Sequence, residues 1–316
     1  MNGMTYTNLI NKTIELYLQK DYLNAYKFIT ENADKVKGIK AQIYNFRYSI
    51  ASKAGLSELA MKIMREAIVE KGYWYSYEYL MGDDDLKPLY DYNDFDKLAN
   101  ICKEREIEAQ KNSKPGLKVL MGNNSAVNEK YPLIIALHGN EENILITEDY
   151  WSSCVKNSIL ALPQSSDIQF YDGYYWNDVK KGTEELKEHY KEILGNYNID
   201  SENIIIGGFS AGARVSLYAT LNGSIRVKGL ILVGPWLPEI QEWEELLDGL
   251  KSQGVKCYII CGDKDEDCYD GSKKFVDMLN QRQIPNIFKV VKDLDHDYPA
   301  NFNKELEEAI NYILVL

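Results

Sequence analysis

Ser210 lies in Gly208-Phe209-Ser210-Ala211-Gly212, directly after the apolar run Ile204-Ile205-Ile206. A serine hydroxyl is a weak nucleophile at neutral pH and needs a neighbouring base. The chain contains three histidines, so the choice of base is short. His189 sits among charged residues, Glu184-Glu185-Leu186-Lys187-Glu188-His189, and reads as a surface residue. His138 ends the apolar run Leu133-Ile134-Ile135-Ala136-Leu137. His296 lies in Asp293-Leu294-Asp295-His296-Asp297, between the last expected strand and the last expected helix. That loop falls on the carboxyl edge of a parallel sheet, where Ser210 also falls, so His296 is the expected base.

A third member, a carboxylate that orients the imidazole, is expected between Ser210 and His296. The loop Cys261-Gly262-Asp263-Lys264-Asp265-Glu266-Asp267-Cys268 follows an apolar run and offers three aspartates. Asp265 fits best, with Asp267 as the alternate. A calcium loop of the D-x-D-x-D-G kind is excluded, because Cys268 replaces the turn glycine and Lys274 stands where the bidentate glutamate belongs.

These residues need a scaffold. From residue 117 onward, apolar runs and amphipathic segments alternate. Strands are expected at 117–121, 133–137, 159–162, 204–206, 229–233, 257–261 and 287–291. Helices are expected at 178–197, 213–221, 239–250, 271–281 and 303–313, with a polar turn at 123–130. Strands apolar on both faces and separated by helices imply a doubly wound, mostly parallel α/β sheet. The flanking glycines of Ser210 let strand and helix backbones pass close together, and the helix start turns its first N–H groups toward the serine.

Residues 1–112 read differently. Apolar positions recur at helical spacing, broken by Gly38, Gly55 and Asp21. The helix pairs are about 34 residues long, and Ala54-Gly55-Leu56-Ser57-Glu58-Leu59-Ala60 resembles the inter-helix turn of tetratricopeptide repeats. An all-α, helical-repeat-like domain over 1–112 and a catalytic domain over 117–316 are therefore expected. Asn112-Ser113-Lys114-Pro115-Gly116 is the linker. Asp83-Asp84-Asp85 reads as a solvated loop leading toward a helix. Gly72-Tyr73-Trp74-Tyr75-Ser76-Tyr77-Glu78-Tyr79 is dense in aromatics, suited to a covering role at the catalytic edge or to the helical region's own core.

The formal net charge of −12 argues against nucleic acid or an anionic membrane as partner. No apolar run reaches the roughly 20 residues that span a bilayer. The start lacks a signal-like apolar segment, and the five cysteines show no zinc-ligand spacing. A cytoplasmic location with free thiols is the expectation.

The order Ser210, Asp265, His296 after a G-x-S-x-G turn resembles the α/β-hydrolase superfamily. Pro132-Leu133-Ile134-Ile135-Ala136-Leu137-His138-Gly139-Asn140 resembles its oxyanion-loop strand. Leu162-Pro163-Gln164-Ser165-Ser166, Trp176-Asn177-Asp178 and Asn198-Ile199-Asp200-Ser201-Glu202-Asn203 are similar to segments of the carboxylesterase and phospholipase-like branch. The similarity covers 117–316. It implies hydrolysis of carboxylic esters through an acyl-enzyme, with peptidase or thioesterase activity as the alternatives. The backbone N–H groups of Ala211 and Asn140 are the implied oxyanion donors. The loop departs from the family pattern by having Asn140 in place of a glycine run. His138, Gly139, Trp236 and Trp176 are candidates for substrate contact, and Trp151, Tyr174 and Tyr175 for the rim around them. No metal or organic cofactor is implied. The partner is a small-molecule ester. In a competing reading, the helical region binds a protein or peptide.

Overall fold

The computed structural model describes residues 4–122 and 130–314. Most of the expected turn at 123–130 lies outside the described residues. The chain divides into two compact units. One runs to Lys114 and also takes in residues Asp167–Tyr174; the other comprises Pro115–Ser166 and Tyr175–Leu316.

In the helical unit, α1 (Tyr6–Leu18), α2 (Tyr22–Asn32), α3 (Lys40–Lys53) and α4 (Ser57–Arg65) follow one another. Each packs on the next. The pair α1–α2 is thus repeated once, as α3–α4, and the pattern then stops. A π-helical turn over Glu66–Glu70 ends α4. The short α5 (Tyr77–Gly82) and the long α6 (Phe95–Asn112) complete the unit. The aromatic stretch of residues 72–79 thus runs into a helix.

The aromatic stretch fills this unit's own core. Trp74 and Tyr75 are buried, and Tyr75 stacks edge-on against Tyr48 of α3. The Tyr75 hydroxyl donates to the Ala41 carbonyl at 2.8 Å. Asp85 is tied down as well, taking the Tyr17 hydroxyl at 2.7 Å and the Lys53 ammonium at 2.7 Å.

The same unit includes a hairpin from much later in the sequence. Strands β4 (Asp167–Phe170) and β5 (Gly173–Tyr175) form a two-stranded sheet. The Tyr171 N–H donates to the Trp74 carbonyl at 3.0 Å, and the Tyr171 ring tilts onto Tyr73.

The second unit is built on a seven-stranded sheet in the order β1-β3-β2-β6-β7-β8-β9. Its strands are β1 (Gly116–Leu120), β2 (Tyr131–Leu137), β3 (Ile159–Gln164), β6 (Ile199–Phe209), β7 (Gly229–Val233), β8 (Lys256–Gly262) and β9 (Asn286–Val291). Only β1 runs antiparallel. Side chains alternate across a strand, so a strand covered on both faces must be apolar throughout. Leu133, Ile135, Ile204, Ile206, Leu230 and Leu232 enter one core with α8 (Val179–Asn196), α9 (Ser210–Leu221) and α11 (Tyr269–Gln281). Ile134, Ile205, Ile231 and Ile260 enter the other, with Trp151 of α7 (Ile144–Trp151) and Phe302 of α12 (Phe302–Leu314).

Four expectations need correction here. The segment 239–250 is not one helix but a 3-10 turn, Glu244–Leu247, followed by the short α10 (Asp248–Gln253). Helix α7 was not foreseen. His189 is buried at 9% exposure, because it shares the inner stripe of α8 with Leu186 and Ile193. Trp151 is no rim residue; it is fully buried and donates its indole N–H to the Tyr298 hydroxyl at 3.3 Å.

Candidate active site

Strand β6 ends at Phe209 and α9 begins at Ser210 with no intervening loop. The reversal puts Ser210 at φ +52°, a left-handed conformation that costs a non-glycine residue about 1–3 kcal/mol. The flanking glycines follow from backbone crowding. A Cβ on Gly212 would lie 2.2 Å from the His138 carbonyl oxygen, and one on Gly208 would lie 2.5 Å from that of Leu137. The helix can start this close to β2 only because neither position has a side chain. Its first N–H groups, Ala211 included, have no acceptor within the helix.

Asp265 and His296 meet from two separate loops, after β8 and after β9. Oδ2 of Asp265 is 2.7 Å from Nδ1 of His296. Asp265 is 2% exposed, and its Oδ1 takes the Cys268 N–H at 3.1 Å. Burial opposes the charged form of His296, but the Asp265 carboxylate outweighs it, and the imidazole pKa is raised above 6.5. Asp267 is exposed, and no hydrogen bond joins it to His296 among the described contacts. The His296 ring lies over Phe209, the residue before Ser210, with centroids 4.6 Å apart.

Gly234 closes one side of the pair. It has φ +47°, and a Cβ there would stand 3.2 Å from Asp265 Oδ2 and 3.3 Å from the His296 ring. The sequence reading missed it. Its signal is a glycine directly after β7.

Two buried thiols also approach the pair. Cys268 Sγ is 3.6 Å from His296 Nδ1, and Cys261 Sγ is 3.9 Å from Asp265 Oδ2. Asp265, Cys268 and His296 are the residues among those described whose ligand atoms cluster closely enough for a metal. Burial, then the nearby Asp265 carboxylate, drives both thiols far above their ordinary pKa, so they stay protonated beside it.

The loop after β2 carries the other half of the site. The Gly139 N–H donates to Glu142 Oε2 at 2.8 Å, and the Asn140 side-chain carbonyl accepts the Trp176 N–H at 2.8 Å. Among the described residues, no acceptor faces the Asn140 N–H. Glu141 adopts φ +63° and Asn143 caps α7, accepting from the Leu145 and Ile146 N–H groups. A compact turn thus stands where the family pattern has a glycine run.

His138 and Trp176 are not placed to touch a substrate, because both are buried within this loop's support. Their rings stack, and the indole N–H donates to the His138 carbonyl at 2.9 Å. The Ser165 N–H donates to His138 Nε2 at 3.2 Å, which fixes the proton on Nδ1. Burial lowers this imidazole's pKa to about 4. Gly139 is also buried. Trp236 is 37% exposed; its N–H donates to the Ser210 carbonyl at 3.3 Å. The Trp236 ring lies 5.0 Å from the guanidinium of Arg214, which is itself paired with Glu239. The sequence reading did not single out Arg214, Glu239 or Glu142.

A serine at a strand-to-helix elbow, with histidine and aspartate on later strand-end loops of a mostly parallel sheet, is the design of an α/β-hydrolase. The family described as phospholipase/carboxylesterase matches residues 169–314, and one described as A/B hydrolase-like, N-terminal domain, matches residues 5–110. Residues 169–314 thus match the phospholipase/carboxylesterase family, and the sheet around the site has the α/β-hydrolase fold.

A solved structure of an uncharacterised protein from Bacillus cereus ATCC 10987 is 49% identical over 98% of this chain and 99% of that one, with a TM-score of 0.58. Acyl-protein thioesterase 1 of Mycosarcoma maydis is 30% identical over 48% of this chain. The match spans 63% of that relative's length. The esterase PE8 structure shares the fold, with 17% identity, a TM-score of 0.52 and coverage of 64% of this chain and all of that one. No helix among the described residues is long and apolar enough to cross a membrane.

Proposed function

We propose that the chain hydrolyses carboxylic esters through an acyl-enzyme on Ser210. His296 takes the serine proton on attack and returns it to the leaving alcohol. Asp265 holds the imidazole with its proton on Nδ1 and stabilises the imidazolium. The Ala211 and Asn140 N–H groups receive the oxyanion, each worth about 3–4 kcal/mol to the transition state. Water then attacks the acyl-enzyme, with His296 again as base. The observation that supports this reading most is the 2.7 Å Asp265–His296 contact, made by loops at the sheet edge where the strained Ser210 elbow also ends.

Thioesters are attacked by the same machinery, and the relative from Mycosarcoma maydis is named as a thioesterase. A short p-nitrophenyl ester and its thioester analogue, run side by side, decide between them. Ser210→Ala is expected to abolish hydrolysis and fluorophosphonate labelling, at a cost on the order of 10⁶-fold in kcat. Activity above a few per cent of wild type in that variant would remove Ser210 as nucleophile.

A further inference from the structure

Glu142 is a carboxyl at 5% exposure in a loop with no lysine or arginine against it among its described contacts. Its Oε2 takes the Gly139 N–H at 2.8 Å, and a Cβ on Gly139 would stand 3.1 Å from the same oxygen. The groups facing it are His296, Asp297, Glu141 and Tyr298. An acidic group kept this dry costs stability unless it is hydrogen-bonded or paired, and the Gly139 N–H is the partner it has here.

Two N–H groups of the loop after β2 are relevant here. That of Gly139 is taken by Glu142. That of Asn140 faces no acceptor among the described residues, while the Asn140 side chain is anchored on Trp176. One donor is therefore withdrawn and its neighbour left available, with the turn fixed at both ends.

We propose that Glu142 is a positioning residue for the oxyanion site: its carboxyl holds Gly139 so that the Asn140 N–H is presented to the reacting carbonyl. The inference rests on the ester-hydrolase reading above. Glu142 touches no reacting atom; it acts through the backbone of Gly139 and Asn140. Burial raises its pKa to about 7, with the Gly139 N–H pulling the other way. The acceptor oxygen is present in both protonation states, so the clamp does not depend on the charge.

The test compares Glu142→Ala, Glu142→Gln and Ser210→Ala on a short p-nitrophenyl ester, with folded fraction fixed by thermal melts. It also measures inhibition by a small alkylboronic acid, which mimics the tetrahedral state. Glu142→Ala is expected to lose about 10²-fold in kcat with KM within about threefold, and to lose boronate affinity in proportion. Glu142→Gln keeps an amide oxygen for Gly139 and is expected to stay within about fivefold of wild type on both readouts. A merely structural role would lower Tm without moving kcat per folded molecule or the boronate affinity, and would overturn the proposal. Glu142→Gln falling as far as Glu142→Ala would overturn it too, since the acceptor would then not be the part that matters. Activity surviving in Ser210→Ala would instead remove the underlying reading, and the clamp's chemistry with it.

Discussion

His296 and Asp265 come within 2.7 Å of each other, while Asp267, two residues further along the same loop, is exposed. Spacing alone could not separate the two aspartates; the turn does. The Cys268 and Tyr269 N–H groups bond back to Asp265, which draws that residue inward and leaves Asp267 on the outer side. Asp265→Asn is expected to cost about 10⁴-fold in kcat/KM, because the amide favours the wrong imidazole tautomer. Asp267→Asn should stay within about threefold. A steady-state comparison of the two reads this directly.

Under the proposed mechanism, the raised pKa of His296 sets the expected pH profile. The base must be neutral, so kcat/KM rises as pH increases through the folded-state pKa. That midpoint is expected above 6.5, the ordinary value. In Asp265→Asn the residual activity should show a lower midpoint, since the raising partner has gone while burial remains. An unchanged midpoint in that variant would mean that another group sets the profile. For stability the sign is opposite: the His296 contribution is complete below 6.5 and is lost as pH rises through the raised value.

Gly234→Ala is expected to lower kcat tenfold or more while leaving the fold in place. The new methyl would crowd Asp265 and His296 together, at a position already holding φ +47°. A displacement of that order at a catalytic pair can cost about 10²-fold. Kinetics alongside a circular dichroism spectrum would separate misplacement from unfolding.

His138 predicts an acid-side loss of stability. Its folded pKa of about 4 lies below 6.5, so its contribution is present above 6.5 and is lost as pH falls toward 4. The loss amounts to roughly 3 kcal/mol. Urea melts across that window should show the slope in the wild type and a shallower one in His138→Gln, which is expected to be less stable at pH 7. An identical slope would show that other groups carry it.

Much of this architecture could be read from residue order. The runs Leu133 to Leu137 and Ile204 to Ile206 are apolar on both faces, as covered parallel strands must be. Ser210 and the loops bearing Asp265 and His296 follow such runs, which brings them to one edge. Other features depend on which way a turn rolls. Glu141 and Glu142 are adjacent and chemically alike, yet only the second is buried, because Glu141 takes φ +63° and reverses the chain between them. His189 was hidden by its charged neighbours, although its spacing from Leu186 and Ile193 is that of a buried helical stripe. The segment 239–250 has enough apolar residues for a helix. Buried Trp243 and Leu247 instead sit in turns.

The hairpin of β4 and β5 has a consequence for how this protein can be taken apart. Residues Asp167–Tyr174 belong to the helical unit although their flanks belong to the hydrolase unit, so the chain crosses between the units three times rather than once. A protease nick at Pro115 would leave two fragments still sharing a fold element, and they should co-migrate until denatured. By the same logic, a catalytic fragment beginning near Ser113 would present Tyr171 without Trp74 and Tyr73, as a loose sticky loop. An autonomous hydrolase would have to be made with two excisions: the helices, and this hairpin closed by a short turn. Any ancestor that gained the helical unit by fusion at one point must have acquired the hairpin's allegiance afterwards, or already carried a loop there that the newcomer could adopt.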